Sequence, residues 1–115
     1  ARMLDANLDV RDTQATLLML SARSVAEALK RELPTTRRLL VCGGGARNGA
    51  LMAALARELA PRSVATTAAV GVAVDHVEAL AFAWLAREAI AGRPGNLPAV
   101  TGARGPRILG AITPR

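Results

Sequence analysis

The stretch Leu39–Asn48, LLVCGGGARN, decides how this chain folds. It begins as a wholly apolar run of strand length, which is typical of a parallel strand with helices on both faces of its sheet. Three glycines and a polar pair follow, and a helical pattern begins directly after them. Glycines at the carboxyl end of a strand let a ligand approach the backbone, and the next helix offers N–H groups to an anion. The stretch therefore predicts a ligand cradle or, alternatively, a plain strand-to-helix turn.

Helical patterns flank this strand on both sides. From Thr13 onward, apolar residues recur every three or four positions, which predicts an amphipathic helix capped by Asp12 or Thr13 and stopped by Pro34. After the strand, a second helix is predicted over residues 48–60, with Asn48 as its N-cap. Both helices are expected to pack on the sheet.

A second strand is predicted over residues 63–67, and short links to the helix before it imply a parallel crossover. Thr66 and Thr67 end this strand, where open α/β sheets place their ligand crevice. Ordinary β propensity explains these two threonines equally well. The expected fold class is α/β, with helix, strand, helix, strand and helix in order around a short parallel sheet.

The third helix opens at Asp75 and runs to Ala91, with a stop signal in the glycine after it. Asp75 and Glu78 have the spacing of a capping box. Alternatively, Glu78 heads an apolar face and looks into a cleft, where its carboxylate has a functional role. Residues 79–86 are apolar all round, so this helix is expected to be buried on several sides or to meet another domain or subunit. Residues 108–112 close the chain as a loop or a last short strand.

Length and composition limit the possible classes of protein. A chain of 115 residues predicts a single domain over 1–115 without an internal boundary, and it is small for a complete kinase. Hydrophobic residues make up 51% and aromatic residues 2%, which favours helices packed on a small sheet over a β-sandwich. The net charge of +6 comes from scattered arginines without a basic stripe, so no nucleic acid is expected as a partner.

Cys42 and His76 are the only residues of their types, so no internal disulfide and no metal site is expected. Neither a charged start followed by an apolar segment nor a membrane-length apolar run is present in the sequence. We expect a soluble, cytoplasmic protein that does not bind membranes.

The glycine run fits neither common phosphate-binding motif. A dinucleotide fingerprint that starts at Gly43 and Gly45 needs a third glycine at position 48, which is Asn48. No lysine followed by serine or threonine comes after the glycines, so a P-loop is excluded as well. Arg47 and Asn48 nevertheless place charge-assisted and polar donors beside the glycines.

Several motifs resemble, in order and spacing, the C-terminal part of the bacterial anhydro-N-acetylmuramic acid kinase family. The resemblance covers nearly the whole chain, and several separated motifs are more specific than one glycine run. The stretches that carry it are Gln14–Leu17, Ser21–Ser24, Val41–Asn48, Glu78–Ala86, Pro94–Pro98 and Val100–Ala103.

The resemblance implies part of an actin-like ATPase fold, in which two ribonuclease-H-like domains hold ATP in the cleft between them. It also implies ATP- and Mg²⁺-dependent phosphorylation of the 6-oxygen of 1,6-anhydro-N-acetylmuramic acid while water opens the anhydro ring. The product is N-acetylmuramic acid 6-phosphate, in peptidoglycan recycling. Under this resemblance Glu78 reaches the sugar, and the residues that border the nucleotide are Gly43, Gly44, Gly45, Arg47 and Asn48.

The chain departs from the family in length. The family's phosphate loop and its water-activating aspartate precede the matched region, so no catalytic residue is expected in this chain. The resemblance thus implies a C-terminal fragment of the second ATPase domain, inactive without the N-terminal remainder. The alternative hypothesis is a stand-alone α/β interaction module that docks a partner through its apolar third helix. That helix also makes a homodimer plausible.

Overall fold

The aliphatic run forms the first strand of a parallel pair, as the sequence predicts. The computed structural model describes residues 9–113, and the α/β class with its predicted order of helices and strands is confirmed. The elements are α1 (Val10–Glu32), β1 (Arg38–Val41), a 3₁₀ turn (Gly44–Arg47), α2 (Gly49–Leu59), β2 (Ser63–Thr66), a second 3₁₀ turn (Thr67–Val70), α3 (Val77–Ile90) and α4 (Pro98–Thr101).

The polypeptide divides into two compact units, Ala1–Val74 and Asp75–Arg115. The sheet and the two helices that pack on it belong to the first unit. The second unit consists of α3, α4 and the loops around them. That residues 1–115 form a single domain stays a prediction.

The first helix begins earlier than its sequence pattern predicts. Capping by Asp12 or Thr13 is wrong, because α1 starts at Val10 with Asp9 as its N-cap. The Asp9 carboxylate accepts a hydrogen bond from the Arg11 N–H at 2.8 Å. Asp9 therefore satisfies one of the N–H groups that a helix start leaves without a partner, and the helix gains nearly a turn.

The two strands pair in parallel along four residues each, which confirms the predicted crossover. Leu39 pairs with Val64, and Val41 pairs with Thr66. Alternate residues of a strand face the same side of the sheet. Leu39, Val41 and Val64 accordingly lie on the face that packs against the helices.

The core of the first unit lies where α1 meets α2. Ala22 of α1 and Ala54 of α2 are completely buried, and Leu55 is nearly so. Alanine side chains let two helix axes approach closely, which explains why this alanine-rich chain needs few large residues in its core. Leu59, near the end of α2, is the largest side chain that is fully buried among residues 9–113.

In the second unit, α3 begins at Val77 with His76 in the N-cap position, so the helix start that the capping box places at Asp75 is wrong. The His76 side chain makes no capping hydrogen bond. The end of α3 is as predicted, since Gly92 follows the helix with a φ of 67°. Glycine reaches this left-handed region without strain, and helices commonly stop there.

The tail differs from its prediction in one place. Residues 98–101 form the short helix α4 in a segment whose composition predicts a loop. Residues 108–112 are a loop, because the described residues offer them no strand to pair with and Gly110 leaves the extended region at a φ of 102°. Of the two alternatives for this segment, the loop is the one that forms.

We expect Ala54→Leu to lower the free energy of unfolding by about 1–3 kcal/mol, because a completely buried alanine leaves no room for a larger side chain. The matched control is Ala53→Leu, which adds the same atoms one residue earlier at an exposed position. The control is expected to stay within about 0.5 kcal/mol of the wild type. Urea unfolding of both variants measures this, and equal destabilisation would contradict the packing described.

Candidate functional site

Gly43 turns the chain out of β1. Its φ of 68° and ψ of −165° lie in a region that is essentially restricted to glycine. Its N–H donates a hydrogen bond of 2.9 Å to the carbonyl oxygen of Val74, which fixes the turn against the last residue of the first unit. A Cβ atom on Gly43 would meet no atom within 4 Å, so the backbone conformation alone requires glycine here.

The next residues form one turn of 3₁₀ helix. The Ala46 N–H donates to the Gly43 carbonyl, and the Asn48 N–H donates to the Gly45 carbonyl, both at 3.1 Å. Gly44 and Gly45 begin this turn, and the first N–H groups of a helical turn have no partner within it. Gly44 is exposed, with open space where a side chain would project. The turn therefore offers backbone donors and free volume to a ligand.

Arg47 and Asn48, the two polar residues after the glycines, have different roles. Asn48 is the N-cap of α2, as predicted, because its Oδ1 accepts a hydrogen bond from the Leu51 N–H at 3.1 Å. This bond engages one of the two lone pairs of the oxygen, and the Asn48 amide N–H groups can donate to a ligand. The Arg47 side chain is exposed at the end of the 3₁₀ turn.

Both strands end at the same edge of the sheet. Val41 pairs with Thr66, so the glycine turn and the second 3₁₀ turn leave the sheet side by side. The hydroxyl of Thr67 is buried and has no hydrogen-bond partner among residues 9–113. A buried hydroxyl without a partner is uncommon and is a polar group that a ligand or water can satisfy. This edge is where open α/β sheets bind ligands.

Glu78, the predicted sugar contact, belongs to the second unit. It lies in the first turn of α3, its side chain is exposed, and no residue in the described part of the chain pairs with its carboxylate. Phe82, one helical turn later, is 63% exposed. Within the described residues, the start of the face that Glu78 heads is therefore exposed, and the five nucleotide-site candidates lie together in the first unit.

A charged cluster lies at the end of α3, and the sequence patterns do not predict it. Glu88 is buried, and its carboxylate accepts hydrogen bonds from Arg93 Nε at 2.5 Å and Nη2 at 3.0 Å. Arg87 Nε and Nη2 donate to the same carboxylate at 3.1 and 3.0 Å. The hydrogen bonds from Arg93 lower the pKa of Glu88 to about 2, with help from Arg87 and against the effect of burial. The only signal in the sequence is an arginine just beyond the helix stop, five residues after the glutamate.

The segment after Gly92 is held by a second set of contacts, which the sequence patterns do not predict. Asn96 Nδ2 donates to the Gly105 carbonyl at 3.2 Å, and its Oδ1 accepts from the Arg107 N–H at 2.6 Å. A Cβ atom on Gly95 would come within 2.9 Å of Leu85 Cδ2, so only glycine fits there without movement. The Pro94–Pro98 motif of the resemblance thus has a structural role.

Residues 9–113 contain no group of three histidine, cysteine, aspartate or glutamate side chains that is placed to hold a metal ion. Cys42 is exposed beside the glycine turn. None of the helices in the described part of the chain is long and apolar enough to cross a membrane. The first unit is thus an α/β fold in which a glycine turn and a second turn leave a parallel sheet side by side, at the edge where folds of this class bind ligands.

Comparison with known proteins identifies the family. The model of the anhydro-N-acetylmuramic acid kinase family matches residues 1–115, and the chain belongs to this family. It is 59% identical over 112 residues to the anhydro-N-acetylmuramic acid kinase of Xanthomonas axonopodis pv. citri, covering 97% of this chain and 30% of the relative. The enzymes of the same name from Chromobacterium violaceum and Nitrosomonas europaea are 53% and 51% identical, over 91% and 90% of this chain and 29% of each relative. The chain thus spans about 30% of the length of the curated relatives it matches.

The low pKa of Glu88 predicts a pH dependence of stability. Its folded pKa of about 2 lies below the ordinary value of 4.5, so the stability that its ionised form contributes is fully present above about pH 4.5 and is lost as the pH falls towards 2. We expect the urea midpoint of the wild type to fall more steeply across this window than that of Glu88→Gln, which has no carboxylate to titrate. Glu58→Gln serves as the matched control, because it removes the carboxylate from an ion pair in which Arg23 Nε lies 3.5 Å from Glu58 Oε1. If Glu88→Gln titrates as the wild type does, the cluster is not intact in solution.

Proposed function

We propose that this chain is the C-terminal part of an ATP-dependent sugar kinase that acts on 1,6-anhydro-N-acetylmuramic acid. The γ-phosphoryl group passes from ATP to the 6-oxygen, while a water molecule adds to the anomeric carbon and the anhydro bond breaks. The products are ADP and N-acetylmuramic acid 6-phosphate, an intermediate of peptidoglycan recycling. The match of residues 1–115 to the kinase family carries this proposal.

The glycine turn is the proposed nucleotide site. Gly43 and Gly44 leave open space at a strand end, where a phosphate or a nucleoside can approach the backbone, and Gly45 continues the turn. Arg47 adds a cationic side chain, which suits the charge of a nucleotide. Asn48 contributes through its amide N–H groups, since its oxygen caps α2. The residues present thus fit ATP.

Residues 9–113 form no group of three or more histidine, cysteine, aspartate or glutamate side chains placed to hold a metal ion. Bound Mg²⁺ would neutralise charge on the phosphates during phosphoryl transfer. As the family resemblance implies, we assign the base that activates water to the N-terminal remainder of the enzyme. Half of the cleft is expected to be inactive alone, because transfer requires all these groups in one closed site.

The proposed superfamily is that of actin-like ATPases and sugar kinases, with this chain as the C-terminal portion of the second domain. The small parallel sheet supports the proposal that this chain is part of a larger domain. A sheet of two strands is marginally stable and leaves unpaired strand edges. Further strands from the remainder would complete it. We infer a cytoplasmic location, since ATP is available there. A homodimer stays a prediction.

The proposed role of Glu78 is to contact the sugar. Its carboxylate is exposed and has no ion pair within the described residues. It also lies at the start of α3, where the helix dipole stabilises a negative charge. A carboxylate in this position can accept hydrogen bonds from sugar hydroxyls.

The experiment that tests the function uses the complete polypeptide that contains this chain. We expect it to phosphorylate the anhydro-sugar with ATP, and we expect Gly44→Val to raise the KM for ATP by at least about tenfold, since about 1.4 kcal/mol of binding is a factor of ten. The valine projects into the space that a nucleotide would fill, and the urea midpoint should stay unchanged.

The matched control for this variant is Gly105→Val in the second unit, where a Cβ atom meets only the flexible end of Arg107 at 3.6 Å. The control is expected to keep the wild-type KM for ATP. Absence of phosphorylation by the wild type contradicts the proposed reaction. An active Gly44→Val enzyme with an unchanged KM for ATP contradicts the nucleotide assignment alone.

We expect Glu78→Gln in the complete enzyme to lower kcat/KM for the sugar by about tenfold to a hundredfold, because a hydrogen bond to a charged group contributes about 1.5–3 kcal/mol. The KM for ATP and the urea midpoint should not change. If Glu78 only stabilises the helix start, stability falls by about 0.5–2 kcal/mol and the sugar kinetics stay constant. Glu27→Gln, an exposed substitution on α1, controls for the loss of one charge.

A further inference from the structure

Within the described residues of the second unit, helix α3 buries little of its apolar surface. Glu88 is its one buried residue, while Phe82 is 63% and Ile90 is 78% exposed. An isolated helix of 14 residues is marginal in water, because most helical stability in proteins comes from burying an apolar face. The aromatic and aliphatic side chains of α3 therefore require a covering surface.

One face of α3 forms the wall of an apolar groove. Phe82, Leu85 and Ile90 line this groove on the helix side. Leu109 and Ile112 line it on the side of the loop that ends the described chain. The groove has a volume of about 450 Å³, which suits a few apolar side chains. Its lining contains no charged residue.

We propose that, in the complete polypeptide, an apolar segment from the part of the kinase outside this chain lies in this groove and completes the packing of α3. The inference rests on the proposed function only in taking the chain as part of a longer enzyme. The matched relatives contain more than twice as much polypeptide outside the matched region, since the match covers 30% and leaves 70% of their length.

The size of the groove favours a tethered occupant over a second copy of the chain. A stable interface between separate proteins uses roughly 20–30 residues a side, because association has to offset a large loss of translational and rotational freedom. A segment of the same polypeptide has an effective concentration in the millimolar range, so a small apolar contact is sufficient. The apolar character of the lining requires the occupant to be apolar as well.

Cysteine labelling of the complete polypeptide, without any substrate, tests the inference. Ile90→Cys and Phe82→Cys place a thiol in the groove, and Val100→Cys places one at a residue of the same unit that is 81% exposed and lies outside the groove. Each variant is treated with N-ethylmaleimide in buffer and in urea, and mass spectrometry follows the modified peptide. The rate in urea gives the intrinsic reactivity of each site.

We expect the two groove cysteines to react at least about tenfold more slowly than the control, relative to their rates in urea, because reaction at a covered site needs a local opening. The protection should not depend on protein concentration. Equal rates at the three sites overturn the inference. Protection that grows with protein concentration also overturns it, because a second copy is then the occupant. An open groove in an active kinase contradicts this inference alone, and a covered groove in an inactive polypeptide contradicts the proposed function alone.

Discussion

The backbone conformation of Gly43 is the constraint on which the first unit depends. A residue with a side chain does not adopt its φ of 68° and ψ of −165° without strain, and its N–H is already engaged by the Val74 carbonyl. Because the chain leaves β1 in this direction, the 3₁₀ turn places Asn48 where it can cap α2. The start of α2 in turn sets which of its residues meet α1, including Ala54. The geometry of a proposed ligand site and the packing of the core thus share one cause.

The sequence predicts the architecture well because periodicity and caps are local signals. The parallel strands, the cap of α2 by Asn48 and the stop at Gly92 all follow from residues within a few positions of each other. The prediction for the start of α1 is wrong because Asp9, Asp12 and Thr13 are all of residue types that cap helices, and the pattern of apolar residues begins only after Asp9 has already capped the helix. The family, too, is identifiable from short motifs, and the match over residues 1–115 confirms it.

What the sequence does not predict depends on contacts between distant positions. The pairing of Glu88 with Arg93 crosses the end of a helix, so it follows neither of the helical spacings that a pattern search uses. Likewise, an all-apolar helix predicts burial, and the residues of this chain leave Phe82 and Ile90 of α3 exposed. The roles of Gly43–Asn48 and Glu78 in binding stay predictions, because binding residues are identified by their contacts with the ligand.

Together with the hydrogen bond from the Gly95 N–H to the Arg107 carbonyl oxygen, the Asn96 side chain closes a whole loop. Its two polar atoms hold Gly105 and Arg107, nine and eleven residues further along the chain, and so close a ring without a covalent link. Hydrolysis of the Asn96 amide to a carboxylate would replace the N–H donor with an oxygen facing the Gly105 carbonyl, and the two oxygens would repel each other. This one chemical change would then loosen residues 97–106, which include α4, and protease sensitivity would appear first in this loop.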